Sequence, residues 1–117
     1  MNMKTWPIVN AQGKVAAFEV SVIRIGLREI AKLLESLPGV SQLQKRSSFS
    51  GEEVHIKFTY HGINCVVWEP FGDNSRYWIG PADEAGEQAH DLVEIEKAFR
   101  SYQPSLLRRL FGPLKSV

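Results

Sequence analysis

Residues 54–68 read VHIKFTYHGINCVVW, and the way this stretch folds decides the class of the whole chain. At its centre stand His61 and Gly62, two residues that tolerate the positive φ a two-residue hairpin turn requires. Folding about that turn sets Tyr60 opposite Ile63, Phe58 opposite Cys65, Ile56 opposite Val67 and Val54 opposite Glu69. All but the last pair are apolar on both sides, which marks a buried sheet face. The other face pairs Thr59 with Asn64, Lys57 with Val66 and His55 with Trp68. It is mixed in character and the more informative of the two.

Toward the N-terminus, Leu27, Ile30, Ala31, Leu34 and Leu37 form an apolar stripe among good helix formers, and Pro38-Gly39 stops it. Arg24, Arg28 and Lys32 lie along the polar side of this helix and read as a solvated face. Before it, Trp6 to Ser21 holds a Gly13 turn signal between two β-branched, apolar stretches, which predicts a strand or a hairpin. The spacing of Val20, Ile23 and Leu27 also allows the helix to begin as early as Glu19. Gly26 and the run Val20-Ser21-Val22-Ile23 argue against that. Val40 to Tyr60 reads as two strands joined near Ser50-Gly51-Glu52.

Toward the C-terminus, residues 69–75, EPFGDNS, make a loop dense in turn formers. Arg76 to Ile79 then forms a short strand that Gly80-Pro81 ends. Asp83 is placed to cap a second helix whose apolar stripe is Ala89, Leu92, Ile95, Phe99 and Tyr102, with His90-Asp91 on its solvated surface and Pro104 closing it. The expected architecture is α+β: a two-layer sandwich with a mainly antiparallel sheet of about five strands and two helices on one face. One domain covers residues 1–103, followed by a basic, amphipathic tail over 104–117.

Composition bounds the function. Fourteen Lys and Arg against thirteen Asp and Glu leave a net charge of +1, so no global field draws the 117-residue chain toward nucleic acid or an anionic membrane. The charge is unevenly spread: Glu69 to Glu96 carries eight acids and one base, Arg76, while Lys97 to Val117 carries five bases and no acid. A single cysteine, Cys65, rules out an internal disulfide and multi-cysteine metal patterns. With neither a signal-peptide pattern nor a long apolar run, the expectation is a soluble, cytoplasmic protein with no membrane span.

Catalytic motifs are wanting. Cys65 has opposite parity to His55 and His61, so a Cys–His nucleophile pair is divided by the sheet, and an inert core thiol is the simpler reading. His55, His61 and His90 lack metal-ligand spacing, no glycine-rich phosphate loop occurs, and neither metal nor cofactor is expected. What stands out is a constellation of His55, Lys57, Trp68, Arg76 and Trp78, two indole rings with cationic neighbours on one sheet face, extended by the loop residues Glu69, Asp73 and Asn74. Such a face suits a binding domain, non-enzymatic, acting through self-association or a protein partner. Two alternatives remain: a small hydrolase-like enzyme using Glu69, Asp73 or His55, and a single-stranded nucleic-acid binder stacking bases on the rings. A third use of the face is internal, with Leu106, Leu107, Leu110 and Phe111 of the tail folding back over the tryptophans.

Overall fold

The computed structural model describes residues 3–45, 54–69, 75–82 and 91–102. In chain order the elements are β1 (Thr5–Val9), β2 (Val15–Ser21), α1 (Leu27–Glu35), β3 (Val40–Lys45), β4 (Val54–Tyr60), β5 (Ile63–Trp68), β6 (Arg76–Pro81) and α2 (Val93–Arg100). The strands form one six-stranded sheet in the order β1-β2-β6-β5-β4-β3, and every neighbouring pair is antiparallel. The class is α+β, as the alternation and the helical stripe predict. The sheet has six strands where the sequence suggests about five, because both arms of the hairpin around Gly13 belong to it.

Local chemistry explains the elements. The β4–β5 turn has His61 at φ 50° and Gly62 at φ 85°, the conformation that a tight hairpin following the right-handed twist of its strands requires. Residues 15–21 are strand and not the start of the helix, since Phe18 and Val20 alternate into the core. At the head of α1, Glu29 accepts the Gly26 backbone N–H at 3.0 Å, and its other carboxylate oxygen accepts the Tyr102 hydroxyl, also at 3.0 Å. One side chain thus closes the start of α1 and ties it to the end of α2. Arg24, Arg28 and Lys32 are exposed, so this basic stripe faces solvent.

The second helix begins later than its stripe implies. Asp91 precedes it, and the Asp91 carboxylate accepts the backbone N–H of Val93 at 3.1 Å and of Val15 at 3.2 Å, so Asp91 is a clasp between α2 and β2 and not helix surface. The predicted cap Asp83, the first stripe residue Ala89, His90 and the tail 104–117 lie outside the described residues, as does the Ser50-Gly51-Glu52 turn.

The core takes one face of the sheet. Phe18, Val20, Ile56, Phe58, Cys65, Val67 and Ile79 form a single buried cluster with Ile30, Ala31 and Leu34 of α1 and with Ile95 and Phe99 of α2. Phe18 and Phe99 meet edge to face, ring centres 5.2 Å apart. Among the described residues no helix is long and apolar enough to cross a membrane. Phe18 is fully buried at the junction of β1, β2, β6 and α2, so Phe18→Ala opens a cavity that the rigid strands cannot close. We expect a loss of roughly 3–5 kcal/mol in urea unfolding with the slope of the transition unchanged.

Candidate functional site

The core occupies one face of the sheet and leaves the opposite face open to solvent contact. Pairing places Trp6 beside Glu19, Glu19 beside Trp78 and Trp78 beside Trp68, so one cross-strand row runs over β1, β2, β6 and β5. All three tryptophans of the chain are in this row, and all three are half-buried. The Trp68 and Trp78 rings meet edge to face with centres 6.0 Å apart. The Trp78 ring packs closely over position 80, which is glycine: a Cβ there would come within 2.7 Å of both the Trp78 ring and the Ala17 methyl.

Arg76 finishes this arrangement. Its guanidinium carbon sits 3.6 Å from the centre of the Trp6 ring, and Nη1 donates to Glu19 Oε1 at 3.1 Å. Lys4 approaches the same ring, its Nζ 5.5 Å from the centre. A half-exposed ion pair and a surface cation–π contact each contribute about 1 kcal/mol or less. Their effect is to orient: Glu19 neutralises Arg76 and holds its guanidinium over the Trp6 ring.

The sequence-predicted residues divide between the two faces. On the outer face Trp68 and Trp78 are neighbours and Arg76 lies on the same side, and Lys57, exposed, occupies the next row with Val66 and Gly80. Lys57 also lines a polar hollow of about 300 Å³ with Gln42, Gln44, Thr59 and Asn64. His55 is a correction. The β4–β5 register holds from Tyr60–Ile63 to Ile56–Val67, but a bulge between Val54 and Ile56 then places Val54, not His55, opposite Trp68. An extra residue in one strand reverses side-chain parity beyond it.

His55 is therefore carried toward the core side, where its ring meets that of Tyr77 at 5.9 Å and its Nε2 lies 2.6 Å from Glu69 Oε1. Tyr77 pairs with the buried Val20 and packs against the core; burial first, and Glu69 second, raise its hydroxyl pKa. Glu69 is thus joined to His55 and not to Trp68. Chemically this is an imidazole oriented by a carboxylate, and structurally it pins the bulge of β4 to the end of β5. Asp73 and Asn74 lie outside the described residues.

Sequence reasoning missed Trp6 and Glu19. Trp6 was legible as an alternating partner of Ile8, but its place beside Glu19 needs the hairpin register, and Glu19 meets Trp78 only through the β2–β6 pairing of segments far apart in sequence. A second hollow, about 320 Å³, lies between the His61 turn and α2, lined by Leu37, Pro38, Tyr60, His61, Glu94 and Ile95. Burial, then Glu94 and Asp91, raise the Tyr60 pKa there.

No family model, curated protein or solved structure matches the chain. Among the described residues, no three His, Cys, Asp or Glu side chains converge on a point where they could hold a metal ion.

Cys65 is buried, and that burial pushes its thiol from an ordinary 9.0 up to about 12. Near neutral pH the folded protein should resist an aromatic disulfide reagent, reacting roughly a hundredfold or more slowly than the urea-unfolded chain, because labelling waits on opening of the fold. The sign for stability follows: the protonated thiol belongs to the folded state. Stability from this group is complete below pH 9.0 and falls as the pH rises toward about 12.

Proposed function

We propose that this chain is a non-enzymatic interaction domain whose working surface is the sheet face carrying Trp6, Trp68 and Trp78, and whose partner is a protein. The observation that carries this reading is the gathering of all three tryptophans into one half-buried row on the face turned away from the core, with Arg76 laid on one of them. Trp and Arg dominate binding energy at protein interfaces because they bring large area and planar hydrogen bonding with little conformational freedom to lose. Exposed Ile8 on β1 and half-buried Val66 on β5 extend the apolar surface.

Magnitudes favour a protein over a nucleic acid. Covering a tryptophan removes up to roughly 150–250 Å² from water, a few kcal/mol at about 25 cal/mol per Å², and the row offers three rings already half-covered. Phosphate recognition requires free cations, and Arg76 is spoken for by Glu19, leaving Lys4 and Lys57 on this face among the described residues. Two phosphate contacts on a single strand give a shallow salt dependence, a log–log slope of about −1.4. Edge strand β1 carries Pro7, which lacks the N–H an added strand would need, so the flat face and not this edge is the docking surface.

The test is the double variant Trp68→Ala/Trp78→Ala, with circular dichroism establishing that it stays folded. Quantitative affinity capture from the source cells should lose the partner that the parent chain retains, and the parent's capture should change little between low and moderate salt. Equal capture by the two chains would rule the face out as the working surface. Mixed single-stranded oligonucleotides bound tightly at moderate salt would replace the protein partner with nucleic acid.

A further inference from the structure

The hollow between the β4–β5 turn and α2 belongs to the core side of the sheet, apart from the tryptophan face, and its residues are not those that a purely structural turn calls for. Three parts of the chain meet there. Leu37 and Pro38 come from the link between α1 and β3, Tyr60 and His61 from the end of β4 and its turn, and Glu94 and Ile95 from α2. The hollow measures about 320 Å³. At about 30 Å³ per molecule of liquid water it has room for about ten waters, the lower end of the range for small-ligand sites.

His61 is the informative residue. A tight hairpin turn favours Asn, Asp or Gly, which reach positive φ at little cost, yet this one holds a histidine at φ 50°. Its ring lies against the Gly39 backbone: a Cβ on Gly39 would come within 2.5 Å of ring atom Cε1, 2.8 Å of Nε2 and 2.9 Å of Nδ1. The His61 backbone N–H donates to the Gly39 carbonyl at 2.9 Å, and the ring meets that of Tyr60 with centres 4.3 Å apart and planes tilted by 51°. Gly39 and Tyr60 thus fix an exposed imidazole on the wall of the hollow, where the turn itself requires no side chain at all. Locally costly choices of this kind concentrate at binding sites.

The walls are of two kinds. Leu37, Pro38 and Ile95 are apolar, whereas Tyr60 and His61 bring aromatic rings and Glu94 a carboxylate. Among the described residues no Lys or Arg lines the hollow. Lys97 reaches Glu94 only at 4.0 Å with both side chains well exposed, a pairing that contributes little and that a ligand can replace. The local potential is negative: after burial, the charges of Glu94 and then Asp91 raise the Tyr60 hydroxyl above its ordinary 10.0. A carboxylate beside aromatic rings in an apolar cleft favours a cation with an apolar body.

We propose that this hollow is a binding site for a small organic amine, whose ammonium lies between the Glu94 carboxylate and the rings of Tyr60 and His61 while its apolar body rests on Leu37, Pro38 and Ile95. The site is independent of the tryptophan face, and its occupancy does not require a partner there.

Three probes that share one body and differ in charge test it: phenethylamine, the neutral phenethyl alcohol and the anion phenylacetate. Each is titrated into the isotope-labelled full chain, and backbone amide shifts are followed by NMR. The amine is expected to bind with a Kd on the order of 1 mM or lower and about threefold or more tightly than the alcohol, with the anion weakest. Its shifts should centre on residues 37, 39, 60–62 and 94–95. Glu94→Gln, which keeps the shape and removes the charge, should weaken the amine by about three- to tenfold and leave the alcohol unchanged. His61→Asn puts a residue at home at positive φ into the turn, so it should unfold at or above the parent's urea midpoint and still weaken the amine by about threefold or more. Absent amine binding, binding indifferent to charge, shifts centred elsewhere, or an amine affinity unchanged in either variant would overturn the proposal. The indole N–H signals of the three tryptophans report the other face, so failure here leaves that face untouched, and retained partner capture by Trp68→Ala/Trp78→Ala leaves this site standing.

Discussion

The antiparallel pairing of β2 with β6 is the contact on which the rest of the structure depends. Four pairs, Phe18–Ile79, Glu19–Trp78, Val20–Tyr77 and Ser21–Arg76, join the N-terminal hairpin to the β3–β6 meander. Because side chains alternate, this one register does two things at once. It brings Phe18 and Ile79 together on the core side, where Phe99 of α2 closes over Phe18, and it brings Glu19, Trp78 and Arg76 together on the other. A slip of one residue would exchange the faces, burying a carboxylate and a guanidinium in the core. The closure is also non-local, and α2 can dock on β1 and β2 only once the hairpin is in place. The clasp of Asp91 on Val15 and the bond from Leu92 N–H to the Val15 carbonyl, 2.8 Å, fasten that docking.

Much of this was written locally in the sequence. The His61-Gly62 turn and the register from Tyr60 to Ile56 follow from the φ preference of two residues and from apolar parity, and the structure keeps both. The stripe of α1 was equally plain. What local reasoning could not supply was the bulge at His55, since nothing in Val54-His55-Ile56 signals an extra residue, and one unpaired position reverses the side on which His55 projects. A second gap is the join of distant segments. Without the β2–β6 pairing, Trp6 is an isolated aromatic near the N-terminus and Glu19 an ordinary polar residue of a half-buried strand, so the row was seen as two tryptophans and not three.

The same division holds for the chemistry. Trp68, Trp78 and Arg76 gather because they are near in sequence across a single hairpin, β5 to β6, whereas His55 leaves the tryptophan row through a bulge that composition does not encode. In the outcome polar groups are paired off within the protein: Arg76 on Glu19, His55 on Glu69, Glu96 between Thr5 and Arg100. Of these pairs only Arg76–Glu19 lies on the outer face, where it stands beside the tryptophan rings and the exposed Lys4 and Lys57.

The most direct test of the outer face as the working surface is site-specific photocrosslinking with benzoylphenylalanine placed at Ile8, an exposed residue of that face, and separately at Lys32, an exposed residue of α1. The predicted result is that adducts to a partner protein form from position 8 and hardly at all from position 32. Adducts that form equally from both positions, or chiefly from position 32, would contradict it and move the working surface to the helical side of the sheet.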